Sequence, residues 1–282
     1  MSEDRPYEGK ELELFARARN WKAYWSAKVR PHLGKSVLEV GAGLGANTPF
    51  LLGPEQTDWL CLEPDAALAA QIPATLAGVA GNGIVKTRTG TLRDLAADET
   101  FDTILYIDVL EHIEDDLGEM RAALGHLSPG GKIVVLSPAH PWLFTEFDRT
   151  LGHYRRYTAR SLRACTPAGA ALVEIRALDS MGLMASVANK LLLHQNMPSP
   201  EQIAFWDRCL VSLSCWTDPL LGFSVGKSLI AVWRKDWGPV RRSVAARLFG
   251  PIHLPIDATQ VLRLRLGGIF RPNTSPARRR SG

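Results

Sequence analysis

The chain has 282 residues, of which 46% are hydrophobic and 22% are charged. This composition is typical of a globular protein, and no apolar stretch approaches the roughly 18 residues that a membrane-spanning helix needs. The net charge of +4 is unevenly distributed. Residues 236–282 carry nine Arg, no Lys and two acids, which is +7, so the first 235 residues sum to 24 minus 27, or -3.

Three features indicate which cellular compartment and which binding partners to expect: the N-terminus, the cysteines and the basic C-terminal part. Residues 1–6 are acidic and lack the basic-then-apolar pattern of a signal peptide, which predicts a cytoplasmic protein. The four cysteines show neither CxxC spacing nor a dense framework, so we expect reduced thiols and no metal site. Residues 236–282 lack interleaved aromatics, which favours a solvated extension and no nucleic-acid partner. Weak contact of this extension with an anionic membrane surface stays open.

The predicted elements begin with an amphipathic helix. Between Gly9 and Arg30, apolar and aromatic residues recur at three- and four-residue spacings among charges, a pattern that predicts a helix with one buried face. Pro31 ends this helix. Its Trp and Tyr residues would pack against the domain, with a lid over a ligand as the alternative.

After this helix, short apolar runs alternate with helical segments. Sustained βα alternation predicts a Rossmann-like, doubly wound, mostly parallel sheet with helices on both faces. A helical insertion precedes the last strand, which we expect to be antiparallel. The seven predicted strands cover 36–41, 58–63, 84–89, 101–107, 132–137, 171–178 and 227–234. The predicted helices between the first five strands cover about 46–52, 65–76 and 114–127.

The segment from Val37 to Gly45 carries the most informative motif, an apolar run that ends in Gly41, Gly43 and Gly45. Glycines after a buried strand let a ligand approach the backbone, and the following helix offers free N–H groups. A dinucleotide fold uses G-x-G-x-x-G around its pyrophosphate, whereas this spacing differs and Glu39 lies within the strand. Because an acid repels a pyrophosphate and attracts a cation, the motif favours a nucleotide-like ligand with a cationic group.

This motif resembles the first motif of class I S-adenosylmethionine-dependent methyltransferases, whose cofactor bears a sulfonium and an ammonium but no phosphate. Glu63, residues 107–112 and residues 127–131 agree with that family in order and spacing. The resemblance implies that Glu63 accepts hydrogen bonds from both ribose hydroxyls and that residues 107–112 line the methionine end of the cofactor.

The resemblance implies a set of cofactor contacts, with one departure. The family often has an acid after the third strand that binds the adenine amino group, and here Asp94 stands two residues late. Thr91 and the backbone would then recognise the adenine. The implied contacts are Glu39, Gly41, Ala42, Gly43, Gly45, Glu63, Pro64, Thr91, Leu92, Asp108, Val109 and His112. For His112, a hydrogen bond within the loop is the alternative to a cofactor contact.

Residues 138–157 follow the fifth strand and should overhang the ligand crevice. Together with the closing strand, this segment resembles a bacterial subgroup of type 11/12 methyltransferases that are often found beside or fused to glycosyltransferases. A general base helps methyl transfer when the acceptor is a hydroxyl or an ammonium. The candidate bases are His140 and His153, with Asp148 or Glu146 able to orient one of them.

The same segment supplies candidate substrate contacts. Arg155 and Arg156, flanked by Tyr154 and Tyr157, could bind a carboxylate or phosphate of the substrate bidentately. Trp142 is a further candidate. The alternative is that the two arginines pair with carboxylates such as Asp148 and hold the loop together.

These observations predict an enzyme that moves a methyl group from S-adenosylmethionine to an oxygen or nitrogen of a small molecule, a sugar or a lipid-linked glycan, leaving S-adenosylhomocysteine. A nicotinamide-dependent oxidoreductase and a noncatalytic surface-binding member of the fold are the alternatives. The predicted parts are a helical lead-in (1–31), a methyltransferase domain (32–235) with an active-site loop (138–157) and a helical insertion (180–223), and an Arg-rich extension (236–282). The insertion would wall a pocket, form a dimer interface or pack on the sheet.

Overall fold

The computed structural model describes residues 17–193 and 199–237, and for residues 192 and 193 the backbone alone. Part of the predicted N-terminal helix, including Leu12, Leu14 and Phe15, lies outside the described residues. Residues 238–282 of the Arg-rich extension also lie outside them. The predicted division into lead-in, domain and extension therefore stays a prediction.

The described residues form a seven-stranded mixed sheet with the order β3-β2-β1-β4-β5-β7-β6. The first five strands pair in parallel, and β7 runs antiparallel between β5 and β6. The predicted Rossmann-like sheet and its antiparallel last strand are confirmed. The strands are β1 Ser36–Val40, β2 Asp58–Glu63, β3 Val85–Thr89, β4 Phe101–Ile107, β5 Leu127–Pro138, β6 Ala170–Leu178 and β7 Ser228–Lys235.

Helices cover both faces of the sheet. They are α1 Arg19–Val29, α2 Thr48–Leu51, α3 Ala66–Ala69, α4 Ile72–Thr75, α5 Asp116–Gly125, α6 Glu146–Thr150, α7 Ala159–Ala164, α8 Ser180–Ala188, α9 Pro200–Phe205 and α10 Val211–Leu220. Wider π-type turns extend α8 through Leu193 and join α9 to α10. The helix predicted over 65–76 is two short helices, because Pro73 has no N–H for the carbonyl four residues earlier. Within the described ranges, no helix has the length and apolarity of a bilayer span.

Alternating strand residues pack into two hydrophobic cores, one on each face of the sheet. On one face Leu38, Ile104 and Ile133 are fully buried with Met120 of α5. On the other face the core includes Val37 and Trp59, and α1 contributes Trp25 and Val29 to it. Successive residues of a strand point to opposite faces of the sheet, and both faces are covered by helices. The strands are therefore nearly continuous apolar runs in the sequence.

Buried carboxylates fasten the helical insertion to α1 and to the end of β6. Asp218 accepts hydrogen bonds from the Tyr24 hydroxyl (2.8 Å) and from the backbone N–H groups of Asp179 (2.7 Å) and Ser180 (2.9 Å). Asp207 accepts from the backbone N–H of Trp21 at 2.8 Å. Each of these carboxylates is at least nine-tenths buried, so the insertion has a defined position over the carboxyl ends of the strands.

Candidate functional site

A cavity of about 960 Å³ opens at the carboxyl ends of β1, β4 and β5. It lies at the junction of β1 and β4, where the strand order reverses and where ligands bind in doubly wound sheets. Its volume is at the upper end of the range for small-molecule sites. Its floor is the loop after β1 and the loop after β4, and its walls come from α1, residues 138–157 and the insertion.

The loop after β1 approaches the cavity with backbone alone. Gly41 and Gly43 have φ of 63° and 57° and line the cavity with Ala42, and this conformation favours glycine. A Cβ at Gly41 would lie 2.7 Å from Cγ2 of Val109. Position 41 therefore requires glycine for two reasons. Its backbone φ is positive, and a Cβ there would collide with the side chain of Val109.

Glu63 ends β2 and holds this loop. One carboxylate oxygen accepts the Gly43 N–H at 2.7 Å and the other accepts the Asp65 N–H at 3.0 Å. Burial raises the pKa of Glu63, and these two hydrogen bonds partly offset that. Because each oxygen can accept a second hydrogen bond, the carboxylate retains capacity for a ligand's hydroxyl groups.

Several residues predicted to contact a cofactor do not line this cavity. Thr91 is engaged with Asp94, which accepts from its backbone N–H at 2.7 Å and its hydroxyl at 2.9 Å. Asp94, the acid that stands two residues late relative to the family pattern, therefore caps a turn. The predicted residues outside the lining are Glu39, Gly45, Glu63, Pro64, Thr91, Leu92 and Val109.

Glu39 is buried beneath the glycine loop. Its Oε2 accepts from the Thr48 hydroxyl at 2.8 Å and from Trp59 Nε1 at 3.1 Å. Its Oε1 has no partner among the described residues. Burial raises the pKa of Glu39, and hydrogen bonds from Thr48 and Trp59 together with the nearby Lys22 ammonium oppose that shift. Glu39 thus ties the end of β1 to Thr48 and Trp59.

Asp108 lies at the carboxyl end of β4, with a φ of 55°, and lines the cavity. The residue is exposed by surface area, yet the protein atoms around the cavity desolvate its carboxylate. Burial raises the pKa of Asp108 to about 6, and the nearby His153, Lys22 and Lys227 oppose the rise. A carboxylate held this way attracts a cationic ligand group.

Replacing Asp108 with Asn is expected to stabilise the ligand-free protein at pH 8. The unfolded side chain ionises near pH 3.9 and the folded one near pH 6, so the folded state binds more protons between these values. Stability is therefore lost as pH rises through this window. Asn tolerates positive φ. Urea unfolding should give Asp108→Asn the higher midpoint at pH 8 and no advantage at pH 4.

The exposed Asp98 gives the matched control for this measurement. Asp98→Asn should leave the midpoint unchanged at both pH values. An Asp108→Asn variant that is less stable than the parent at pH 8 would contradict the conclusion that desolvation of the ionised Asp108 side chain destabilises the folded protein.

Asp148, His153 and Arg156 form a buried cluster in the cavity wall. His153 Nδ1 lies 3.1 Å from Asp148 Oδ1, and Arg156 donates to both oxygens of Asp148 at 2.7 and 3.0 Å. Thr145 donates through its backbone N–H and its hydroxyl. Burial alone would raise the pKa of Asp148, but hydrogen bonds from His153 and Arg156 hold it well below its usual range. This anion orients the imidazole of His153.

His112 packs edge-to-face on His153, with ring centroids 4.5 Å apart and an interplanar angle of 88°. Burial, followed by the neighbouring His153, lowers the pKa of His112 to about 4. His112 is therefore a neutral imidazole at pH 7, and one of its ring nitrogens carries a lone pair.

Glu111 completes this group at the base of the cavity. It is fully buried, and one oxygen accepts from the Ser137 hydroxyl at 3.0 Å. The other oxygen has no partner among the described residues. Burial, followed by the charge of Asp108, raises the pKa of Glu111 well above its usual range. The family resemblance included Glu111 in the segment 107–112 but assigned it no contact of its own.

The other residues predicted from the loop do not line the cavity. The ring of His140 bonds to the Gly226 carbonyl at 2.9 Å, and Arg155 pairs with Asp116 at 2.8 Å. The hydroxyl of Tyr157 donates to the same Asp116 at 2.9 Å. Trp142 and Tyr154 are about half exposed. The loop-holding alternative for the two arginines matches these contacts, and the substrate roles of all these residues stay predictions.

Two lysines, the buried Lys22 and the half-buried Lys227, reach the cavity and were not selected from the sequence. Lys22 of α1 donates to Asn47 Oδ1 at 2.8 Å beside the glycine loop, and burial lowers its pKa to about 8. Lys227, just before β7, lies over the Trp206 ring at 5.2 Å. The helical period that places Trp21 and Trp25 inward could have indicated Lys22.

A scan against protein-family models matches a family described as "Methyltransferase domain" over residues 12–175. A ubiquinone biosynthesis O-methyltransferase of Xanthomonas axonopodis pv. citri is 33% identical over 114 residues, which are 39% of this chain and 45% of that protein. The protein of the same name from Xanthomonas euvesicatoria pv. vesicatoria is 34% identical over 104 residues, 36% of this chain and 41% of that protein. The chain thus matches less than half the length of these curated relatives.

Solved structures share the fold at low sequence identity. A geranyl diphosphate methyltransferase in complex with S-adenosylmethionine has a TM-score of 0.56 at 13% identity, covering 83% of this chain and 92% of that chain. The cyclase SpnF has a TM-score of 0.52 at 19% identity, covering 77% and 82%. Because one of these is named a cyclase, the fold alone does not determine the reaction.

Proposed function

This chain belongs to the methyltransferase-domain family, and from that membership we propose that it transfers a methyl group from S-adenosylmethionine to a hydroxyl oxygen of a small molecule. The observation that carries the proposal is the position of His153. Its imidazole, backed by the buried Asp148, shares one cavity with the glycine loop after β1 and with Asp108.

The residues at the cavity floor fit S-adenosylmethionine. The backbone of Gly41 and Gly43 offers a surface without side chains. Glu63, which holds this loop but does not itself line the cavity, keeps hydrogen-bonding capacity for ribose hydroxyls. Asp108 would favour the sulfonium and ammonium, and the buried Lys22 ammonium would favour the carboxylate. The bound cofactor supplies an activated methyl group and the thioether leaving group.

Catalysis by this chain would consist of alignment, desolvation and help with the acceptor's proton. As the C–O bond forms, the S–CH₃ bond breaks, its electron pair goes to sulfur, and the hydroxyl proton leaves the acceptor. The insertion lines the cavity opposite the glycine loop and would reduce its exposure to water, which strengthens electrostatic interactions inside. Asp148 holds the imidazole of His153 toward the cavity, and we assign the loss of the acceptor's proton to this pair.

The walls of the cavity indicate an acceptor with an apolar part. Apolar side chains line much of the cavity, although the insertion also contributes the polar residues Asn189, Lys190, Glu201 and Gln202. The apolar lining residues include Trp21, Trp25, Leu143, Phe147, Leu151, Ala185, Ala188, Ile203, Phe205, Trp206 and Leu210. The curated relatives are named for O-methylation in ubiquinone biosynthesis. We therefore favour a hydroxyl carried by a molecule with a sizeable apolar group over a free sugar.

Labelled methyl transfer tests the proposal. The protein would be incubated with methyl-labelled S-adenosylmethionine and cell extract that has been partitioned into lipid-soluble and water-soluble fractions. We expect label in a lipid-soluble product that mass spectrometry identifies as a methyl ether. Calorimetry that detects binding of NAD and none of S-adenosylhomocysteine would overturn the proposal in favour of an oxidoreductase.

A further inference from the structure

Three potential metal ligands converge at the base of the cavity. One ligand atom each from Glu111, His112 and His153 lies within 4.8 Å of the other two. Glu111 and His112 follow β4, whereas His153 comes from the loop after β5. The cluster therefore exists only because the two loops meet, and the cysteine pattern that predicted no metal site carried no information about it.

One of the two imidazoles is oriented by a buried acceptor, and the other packs against it. Asp148 lies 3.1 Å from Nδ1 of His153, and the His112 ring packs edge-to-face on His153 with centroids 4.5 Å apart. A neutral imidazole whose N–H is occupied in this way presents its other nitrogen as a lone pair. Metal-binding histidines in proteins are usually held by such a carboxylate or backbone carbonyl.

Glu111 supplies the independent observation. The residue is fully buried and one of its carboxylate oxygens has no partner in the part of the chain that the structure describes. Arg156, the guanidinium whose charge acts on Glu111, is already bidentate on Asp148. An unpartnered buried carboxylate oxygen costs free energy, which a bound cation would offset.

We propose that Glu111, His112 and His153 bind one divalent transition-metal ion, with open coordination positions toward the cavity. Two imidazole nitrogens and one carboxylate oxygen suit Zn²⁺ and its first-row neighbours better than Mg²⁺, which prefers an all-oxygen shell. Metal bonds of about 2.0–2.2 Å would draw the three atoms closer by about an ångström, a movement within the reach of side-chain rotation.

The role of this ion rests on the proposed function and specifies how the acceptor loses its proton. An acceptor hydroxyl at an open position would be acidified by the cation, as metal-bound water is. Its proton passes to solvent water, and the resulting oxyanion attacks the methyl carbon while the S–C electron pair goes to sulfur. His153 then acts as a ligand, and Asp148 acts as a positioning residue through it.

Metal binding by the purified full chain tests the proposal without an acceptor. After treatment with a chelator and its removal, the protein would be titrated with Zn²⁺ by calorimetry and with Co²⁺ by visible absorption. We expect one equivalent per chain. Glu111→Gln and His112→Ala should each weaken binding by at least about 100-fold, and Mg²⁺ at the same concentration should give no heat.

His126→Ala is the matched control, because the His126 ring bonds to the Glu99 carbonyl away from the cavity. It should keep the parent affinity. Circular dichroism would confirm that each variant is folded, and Glu111→Gln, which keeps the shape of the side chain, covers the case in which His112→Ala unfolds. Co²⁺ bound by the exposed Cys209 and Cys215 would be recognised by thiolate charge-transfer absorption.

The outcomes separate this inference from the proposed function. Equal metal affinity in the parent and in Glu111→Gln, or none in the parent, overturns the metal site. Methyl transfer that is unaffected by the chelator would then leave the enzyme proposal standing, with His153 as a simple base. Metal binding that follows the expected order without any methyl transfer would support the site and contradict the enzyme proposal.

Discussion

Substitution of His153 by Ala is expected to lower kcat for methyl transfer by about 10²–10⁴-fold, the range for loss of a group that assists proton transfer. The dissociation constant of S-adenosylhomocysteine should change by less than about threefold, because the glycine loop, Glu63 and Lys22 are untouched. His153 lines the cavity and its Nδ1 is held by Asp148. The prediction applies equally to a base and to a metal ligand, since either role needs the imidazole.

His140→Ala is the comparison for this variant. The His140 ring bonds to the Gly226 carbonyl and does not line the cavity, so we expect its kcat to stay within about threefold of the parent. Single-turnover transfer of labelled methyl and calorimetry with S-adenosylhomocysteine measure the two quantities. A His153→Ala enzyme with parental turnover would remove the residue from the reaction, and a large loss in His140→Ala would transfer the role to His140.

Replacing Arg156 with Met is expected to reduce the free energy of unfolding by about 3–5 kcal/mol, the usual cost of leaving one partner of a buried ion pair uncompensated. The Arg156 side chain is 10% exposed and its partner Asp148 is 1% exposed. Arg155→Met should cost about 1 kcal/mol or less, because the Arg155 side chain is 32% exposed. Neighbouring arginines thus give a matched pair for chemical denaturation.

The pH dependence of the Arg156 effect has a definite sign. Hydrogen bonds from His153 and Arg156 hold the pKa of Asp148 below its usual range, so its stabilising contribution is full above about pH 4, the unfolded pKa, and is lost as pH falls. The difference between parent and Arg156→Met should therefore be largest at pH 7 and should shrink below pH 4. A variant with parental stability and a raised KM would instead favour the substrate-binding role predicted for Arg156.

The order of strands and helices was predictable because it depends on local periodicity and on turn residues. Alternating βα segments and the glycines after β1 belong to short stretches of chain, and each is read within about ten residues. The boundaries of the shorter helices were less predictable. Pro73 divided one predicted helix, an effect that an apolar pattern alone does not reveal.

The contacts of individual polar residues were much harder to predict. Arg155 and Arg156 are adjacent residues of the same type, yet Arg155 pairs with Asp116 and Arg156 pairs with Asp148. His140 and His153 were both candidate bases, and in the structure the ring of His140 bonds to Gly226, which lies 86 residues away in the sequence. Such partners depend on which loops meet, and neighbouring sequence does not encode that.

The sequence by itself determined the Rossmann-like sheet, the position of the crevice at the carboxyl ends of its strands, and the resemblance to methyltransferases, because these rest on local pattern and on motif order. Tertiary structure alone decided which groups share the cavity. Lys22 arrives from α1, Glu111 and His112 from the end of β4, and His153 from the loop after β5. Their convergence follows from the packing of elements far apart in the chain. Only this packing buries a charged group or leaves an oxygen without a partner, and burial is what changes the pKa and the binding properties of these groups.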